Sequence, residues 1–245
     1  MTLLEFGLLV VAGYFAGLVG FVTGLASLVS YPALLAIGIP PVAANVTNTV
    51  ALVAVGVGAT TNASSEIAKD RTVLLRLAGV SAAGGLIGAL ILLSAPAGSF
   101  EAVVPFLVAF AAVAVLMQPQ IRKLSGSGEF PVLYPIALFF VAIYGGYFGA
   151  GAGVIFLALA LICTSDSIWR ASILKSFFLG IANLIAAIIF SFSGDVNWLA
   201  ALALALGAFP GGYSGPPVVK VIPPKVLRVV VGLCGLGLAG WLLLK

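Results

Sequence analysis

Long apolar stretches separated by short polar punctuation organise this chain from end to end. Runs of membrane-spanning length occupy about 42–62, 72–94, 102–118, 171–192, 197–209 and 226–244, and two longer runs, interrupted by glycine, occupy 3–38 and 131–164. These eight segments leave only short loops and no room for a soluble domain.

The two glycine-interrupted runs are too long for a single span. At roughly 34–36 residues each they would make about 50 Å of helix against a hydrocarbon core of about 30 Å. Glycines crowd the middle of both, at Gly13, Gly17, Gly20 and Gly24 and at Gly145, Gly146, Gly149, Gly151 and Gly153. Each run is therefore expected to be two half-length helices joined by a break, either a re-entrant hairpin or a pair of short spans.

The same glycines expose a duplication. Gly17, Gly20 and Gly24 recur 129 positions later as Gly146, Gly149 and Gly153, while Ala44, Asn48 and Thr49 face Ala171, Lys175 and Ser176 at an offset of 127. The triplet Gly84, Gly85, Gly88 returns as Gly211, Gly212, Gly215 at that second offset. A duplicated apolar chain points to a transporter, because many transporter folds are two related halves enclosing a site where they meet. The expected domain organisation is one membrane repeat over residues 1–122 and a second over 131–245.

Composition fixes the solvent. With 62% hydrophobic and 7% charged residues, against about 25% charged in soluble domains, the chain is expected to be integral to the lipid bilayer. Met1 to Leu4 carry no basic run and Glu5 would weaken one, so a cleavable signal peptide is not expected. Cys163 and Cys234 lie inside apolar segments and read as small buried hydrophobes.

Positive charge separates two topologies, since Lys and Arg in short loops gather on the cytoplasmic side. Eight plain spans would put Lys69, Arg71, Arg76, Arg122, Lys123 and Lys245 on one side and Arg170, Lys175, Lys220, Lys225 and Arg228 on the other, six against five. If each opening run returns to its side of entry or crosses twice, the second half is inverted and every Lys and Arg except Lys245 falls on one side, ten against one. Glu5, Glu101 and Asp195 then fall opposite. The expected fold class is an all-α membrane protein of two inverted-topology repeats with both termini outside. Each repeat is a Gly-broken helical hairpin plus about three transmembrane helices, giving 8–10 membrane segments. Such repeats place a ligand near the midplane, where broken helices leave backbone dipoles free.

The candidate site residues follow from that architecture. Asn45, Asn48 and Thr49, joined by Thr47, put polar groups on about one turn of the helix opening near residue 42, and Gly56 extends the face after the interruption of Leu52. They either bond neighbouring helices or line a solute path. In the second half Ser176 and Asn183 share a stripe beside Lys175. A cation inside an apolar segment needs a partner or a wet cavity; the alternative for Lys175 is snorkelling to the interface. Gly20, Gly24, Gly149, Gly151 and Gly153 would let backbone approach an anion and would open helix N-termini to it. Gly84, Gly85, Gly88, Gly211, Gly212 and Gly215 read first as close helix packing. Trp169, Trp198 and Trp241 read as interface anchors, and Tyr14, Tyr144, Tyr147 and Tyr213 either pack or line the path.

Absences narrow the chemistry. The chain has no histidine, which excludes a His-ligated metal or a His proton relay. No phosphate loop, HExxH or GxSxG motif is present, so neither ATP-driven pumping nor familiar hydrolysis is supported, and no enzymatic activity, cofactor, metal or nucleic-acid partner is expected. Oligomeric state is left open.

The segment Gly38-Ile-Pro-Pro-Val-Ala-Ala-Asn-Val-Thr-Asn-Thr49, the repeat Gly145-Gly-Tyr-Phe-Gly-Ala-Gly-Ala-Gly153 and the tail Gly211-Gly-Tyr-Ser-Gly-Pro-Pro together resemble the TauE/SafE sulfite exporter family, which is grouped with 4-toluenesulfonate and other sulfonate permeases. The resemblance implies a secondary transporter or facilitator for sulfite, organosulfonates or related small anions in the bacterial inner membrane. By position, Asn45 to Thr49 and Lys175 to Ser176 match the paired motif segments of the family's halves. The first break departs from it, reading Gly20-Phe-Val-Thr-Gly24 where the family has a denser glycine run. The other readings are a permease for another small anion, such as a carboxylate, and a non-transporting membrane scaffold.

Overall fold

A computed structural model describes residues 1–63, 71–96, 98–117, 119–120, 129–193, 195–218 and 224–244. Among the described residues the protein is all helix. α1 (Leu3–Thr23) and α2 (Ala26–Ala36) come from the first glycine-rich run, followed by α3 (Pro41–Asn62), α4 (Arg71–Ser94) and α5 (Ser99–Leu116). The order repeats with α6 (Leu133–Tyr147), α7 (Ala152–Cys163), α8 (Ile168–Phe190), α9 (Trp198–Val218) and α10 (Pro224–Leu243).

Local chemistry accounts for the boundaries. α1 starts with a capping box, in which the Glu5 amide donates to Thr2 Oγ1 at 3.2 Å and the Thr2 amide donates to Glu5 Oε2 at 2.7 Å. It stops at Gly24, whose φ of +85° is a left-handed cap that side chains other than glycine resist. Pro41 opens α3 in its first turn, where a missing N–H removes no intrahelical bond. Ser167 caps α8 by accepting from the Arg170 amide at 3.2 Å.

Both opening runs are broken, but unevenly in the first half. α1 keeps 21 residues and α2 only 11, whereas α6 and α7 have 15 and 12. Gly13 and Gly17 do not break α1, because they are where it touches α9. A methyl group on Gly13 would lie 2.1 Å from the Leu204 carbonyl oxygen, and one on Gly17 would lie 2.5 Å from that of Ala208. α9 also outruns the apolar stretch ending near 209, continuing through Pro210 and the glycine triplet to Val218. Neighbouring helices in a membrane bundle tolerate such residues where water would not.

The packing scheme maps onto itself when the two sets of five helices are exchanged. α1 lies on α9 and α9 on α3; correspondingly α6 lies on α4 and α4 on α8. α3 against α8 and α5 against α10 are pairs that the exchange leaves unchanged. Both glycine triplets sit at these contacts, Gly88 against the Ile143 carbonyl and Gly212 against that of Val55.

Outside this core the surface is apolar. Leu86, Leu90, Phe106, Phe110, Phe140, Leu199, Leu202 and Leu206 are exposed, hydrocarbon surface that water does not stabilise and lipid does. Five of the described helices, Leu3–Thr23, Pro41–Asn62, Arg71–Ser94, Ser99–Leu116 and Ile168–Phe190, are long and apolar enough to cross a membrane. The protein is a multi-pass membrane protein. Lys69, Arg122, Lys123, Lys220 and Lys245, which weigh most in the sidedness expectation, lie outside the described residues. Cys163 is buried as expected, but Cys234 is exposed on the outer side of α10 rather than packed inside.

Candidate functional site

The two breaks touch. A methyl group on Gly24 would lie 2.4 Å from the Gly153 carbonyl carbon, and one on Gly153 would lie 2.5 Å from Gly24 Cα. Only backbone fits between them, and beside this contact is a cavity of about 60 Å³. Measured in this way a water needs roughly 10–15 Å³, so the space holds a few waters or one small polyatomic ion.

Four segments form its walls. Gly20, Gly24, Ala26 and Ser27 come from the first break and Gly145, Phe148, Gly149, Ala152 and Gly153 from the second. Thr49, Leu52 and Gly56 come from α3; Lys175, Ser176, Leu179, Gly180 and Asn183 from α8. The walls are matched in sequence: Gly20 and Gly149, Gly24 and Gly153, Thr49 and Ser176, Leu52 and Leu179, Gly56 and Asn183 stand at the repeat offsets.

Lys175 dominates the electrostatics. Its side chain is only 2% exposed, so it does not snorkel. Nζ donates to the carbonyls of Gly20 at 2.8 Å and Phe21 at 2.6 Å and lies 5.6 Å from the centre of the Phe21 ring. Those carbonyls close α1, where the helix dipole favours a cation. No described carboxylate pairs with it; the Asp166–Arg170 ion pair, 2.9 Å, is at the start of α8.

Asn45 does for α6 what Lys175 does for α1. Its Nδ2 donates to the Tyr147 carbonyl at 2.8 Å. Each C-terminal end at a break is thus held by a side chain from the opposite half, leaving the N-terminal ends of α2 and α7 against the cavity. Neither Leu25 nor Gly151 supplies a side-chain cap to those ends. Two helix N-termini and one ammonium give a cavity suited to negative charge.

Of the residues singled out from sequence, Thr49, Lys175, Ser176, Asn183, Gly20, Gly24, Gly149 and Gly153 line the cavity, whereas Asn45, Thr47, Asn48 and Gly151 do not. Asn48 Oδ1 accepts from Ser30 Oγ at 2.5 Å, tying α3 to α2. Thr47 Oγ1 accepts from the Asn197 amide at 2.9 Å, and a methyl group on Gly151 would meet Ala111 of α5. The hydroxyls of Thr49 and Ser176 donate back to the carbonyls of Asn45 and Ser172, at 3.0 and 3.1 Å, and their lone pairs remain. None of Tyr14, Tyr144, Tyr147 and Tyr213 is a wall residue.

Ser27 and Gly180 join the site without having been singled out. Ser27 was legible as the first hydroxyl beyond the break. Gly180 has no counterpart in the duplication and shows itself only by its contact, a methyl group on Gly56 falling 2.7 Å from its Cα.

A duplicated helical membrane bundle, with broken helices meeting at a small glycine-walled cavity, has the architecture of a solute transporter. Residues 9–242 match the family described as Sulfite exporter TauE/SafE, and the chain belongs to that family. It is 26% identical over 237 residues to a probable membrane transporter protein, ORF9, of a Sinorhizobium species, covering 94% of this chain and 89% of the relative. It is 24% identical to the probable membrane transporter protein YfcA of Escherichia coli K12, covering 92% and 84%, and 24% identical to a probable membrane transporter protein of Haemophilus influenzae, covering 89% and 87%. No solved structure matches the chain. The protein is a membrane transporter.

Proposed function

We propose that the protein is a secondary transporter or facilitator of small oxidised-sulfur anions, sulfite or short sulfonates, across the bacterial inner membrane. The two repeats, residues 1–122 and 131–245, form the walls of its path, with the second inverted relative to the first. The observation that carries the reading is Lys175, a buried lysine whose Nζ donates to two helix-end carbonyls and has no described carboxylate beside it. Burying an unpaired charge is expensive, and an anion in the cavity offsets that cost.

The family's description supports the sulfur class, and the cavity supports a small tetrahedral or pyramidal head. Lys175 supplies charge. The amides at Ser27 and Gly153, with the hydroxyls of Thr49 and Ser176 and the Asn183 amide, are the polar groups on hand for several oxygens. An oxoanion with three oxygens uses such a shell more fully than a carboxylate with two.

A binding screen of sulfite, methanesulfonate, sulfate and acetate on purified protein tests the reading. Sulfite or methanesulfonate should bind more tightly than acetate. Preference for acetate would reassign the substrate to carboxylates, and no binding by any of them would favour a scaffold role.

A further inference from the structure

We propose that Lys175 is also the proton carrier of this transporter, so that each anion moves with one proton; the inference rests on the anion site proposed above and adds its coupling. The basis is the donor count at Nζ. Two carbonyls, those of Gly20 and Phe21, accept from it at 2.8 and 2.6 Å, and Lys175 is one of the residues that line the cavity. A neutral amine has two N–H groups and one lone pair, so both carbonyls are satisfied and the lone pair is left over for the cavity. Protonation there makes a third N–H bond and a positive charge in the same step, at the place where the anion sits.

The balance is simple. A proton from bulk solution bonds to the lone pair of Nζ and the anion binds the new N–H; with a monoanion such as methanesulfonate, cavity plus ligand carry no net charge before or after. Without the anion the ammonium would face only carbonyl dipoles; without the proton the anion would face a lone pair. Each therefore raises the affinity for the other, as linkage requires.

Among the described residues the other ionisable groups of the surrounding helices are placed elsewhere; on α2, Tyr31 packs edge-on against Phe148 and is not a wall residue. α3 carries no ionisable side chain. On α1, Glu5 is engaged in the capping box at the far end and Tyr14 meets Ser214. On α4, Arg71 and Arg76 are exposed. On α6, Tyr144 donates to the Ala150 carbonyl at 2.6 Å, Tyr147 packs on Phe100 and Tyr134 packs on Phe156. Cys163 ends α7 away from the cavity, and Arg170 on α8 pairs with Asp166.

The test is calorimetric titration with methanesulfonate, or with sulfate where methanesulfonate does not bind, because neither changes protonation near neutral pH. Titrations in two buffers of different ionisation heat count the protons taken up. Wild type should take up about one proton per anion at alkaline pH, with affinity falling about tenfold per pH unit there. Lys175→Arg, whose guanidinium stays charged, should bind without proton uptake and with affinity flat between about pH 6 and 9. Wild-type binding with no proton uptake and a flat pH profile overturns the coupling while leaving the anion site standing. A wild type that binds no anion overturns the site, and the coupling with it. Should the arginine variant not fold, the wild-type proton count decides alone.

Discussion

At Lys175, hydrogen-bond number and charge point the same way. A hydrogen bond to a charged group contributes about 1.5–3 kcal/mol, so Lys175→Met should weaken anion binding roughly tenfold to a hundredfold, at about 1.4 kcal/mol per decade. Arg76→Met, which removes an exposed cation on α4, should leave binding unchanged; titration of both variants with the tightest anion of the screen checks this. Equal losses would mean that the protein responds to overall charge and not to this ammonium. Sequence marked Lys175 because a cation in an apolar run has few ways to exist. For Asn45 and Asn48 it left two roles open, bonding neighbouring helices or lining a path, and the structure shows the first: one holds the Tyr147 carbonyl at the end of α6 and the other meets Ser30. A sequence shows that a polar group must be satisfied, but not that the partner of Asn45 is a backbone atom 102 positions away.

Among the elements, the breaks decide whether a cavity exists. Gly24 and Gly153 meet backbone to backbone, so Gly153→Ala forces a methyl group to within 2.5 Å of Gly24 Cα. Overpacking of that kind costs about 1–3 kcal/mol, and thermal unfolding of the detergent-solubilised variant should show a lowered midpoint. Gly79→Ala is the contrast, since a methyl group there meets nothing within 4 Å. On α4 it should be neutral or gain up to about 1 kcal/mol from helix propensity. A midpoint for Gly153→Ala equal to that of wild type would show that the breaks can part without cost. Helix positions were legible almost throughout, because apolar run length is a direct readout of bilayer thickness. The first break falls at the end of the Gly20-Phe-Val-Thr-Gly24 stretch where the family resemblance put it, but glycine spacing alone did not single out that end. Gly13, Gly17, Gly20 and Gly24 look alike in sequence, yet only Gly24 adopts positive φ, and the other three serve contacts with α9 and α2 that the sequence does not display.

For the whole molecule, the duplication announced itself in glycine spacing, and the principal contacts among the ten described helices are unchanged by exchange of the two fives. The proposed inverted arrangement makes a prediction about sidedness: single cysteines at positions 122 and 220 should label from the cytoplasmic face and one at 195 from the other, in protein lacking Cys163 and Cys234. Labelling of 122 and 220 from opposite faces would restore eight plain spans. The central claim, that an anion crosses through the cavity at Lys175, is tested most directly by flux. Purified wild-type, Lys175→Met and Arg76→Met proteins would be reconstituted in liposomes and given radiolabelled sulfite at limiting concentration. Wild type and Arg76→Met should take it up at similar rates while Lys175→Met falls by roughly the tenfold to hundredfold of its binding loss. Uptake by Lys175→Met at the wild-type rate would contradict the claim.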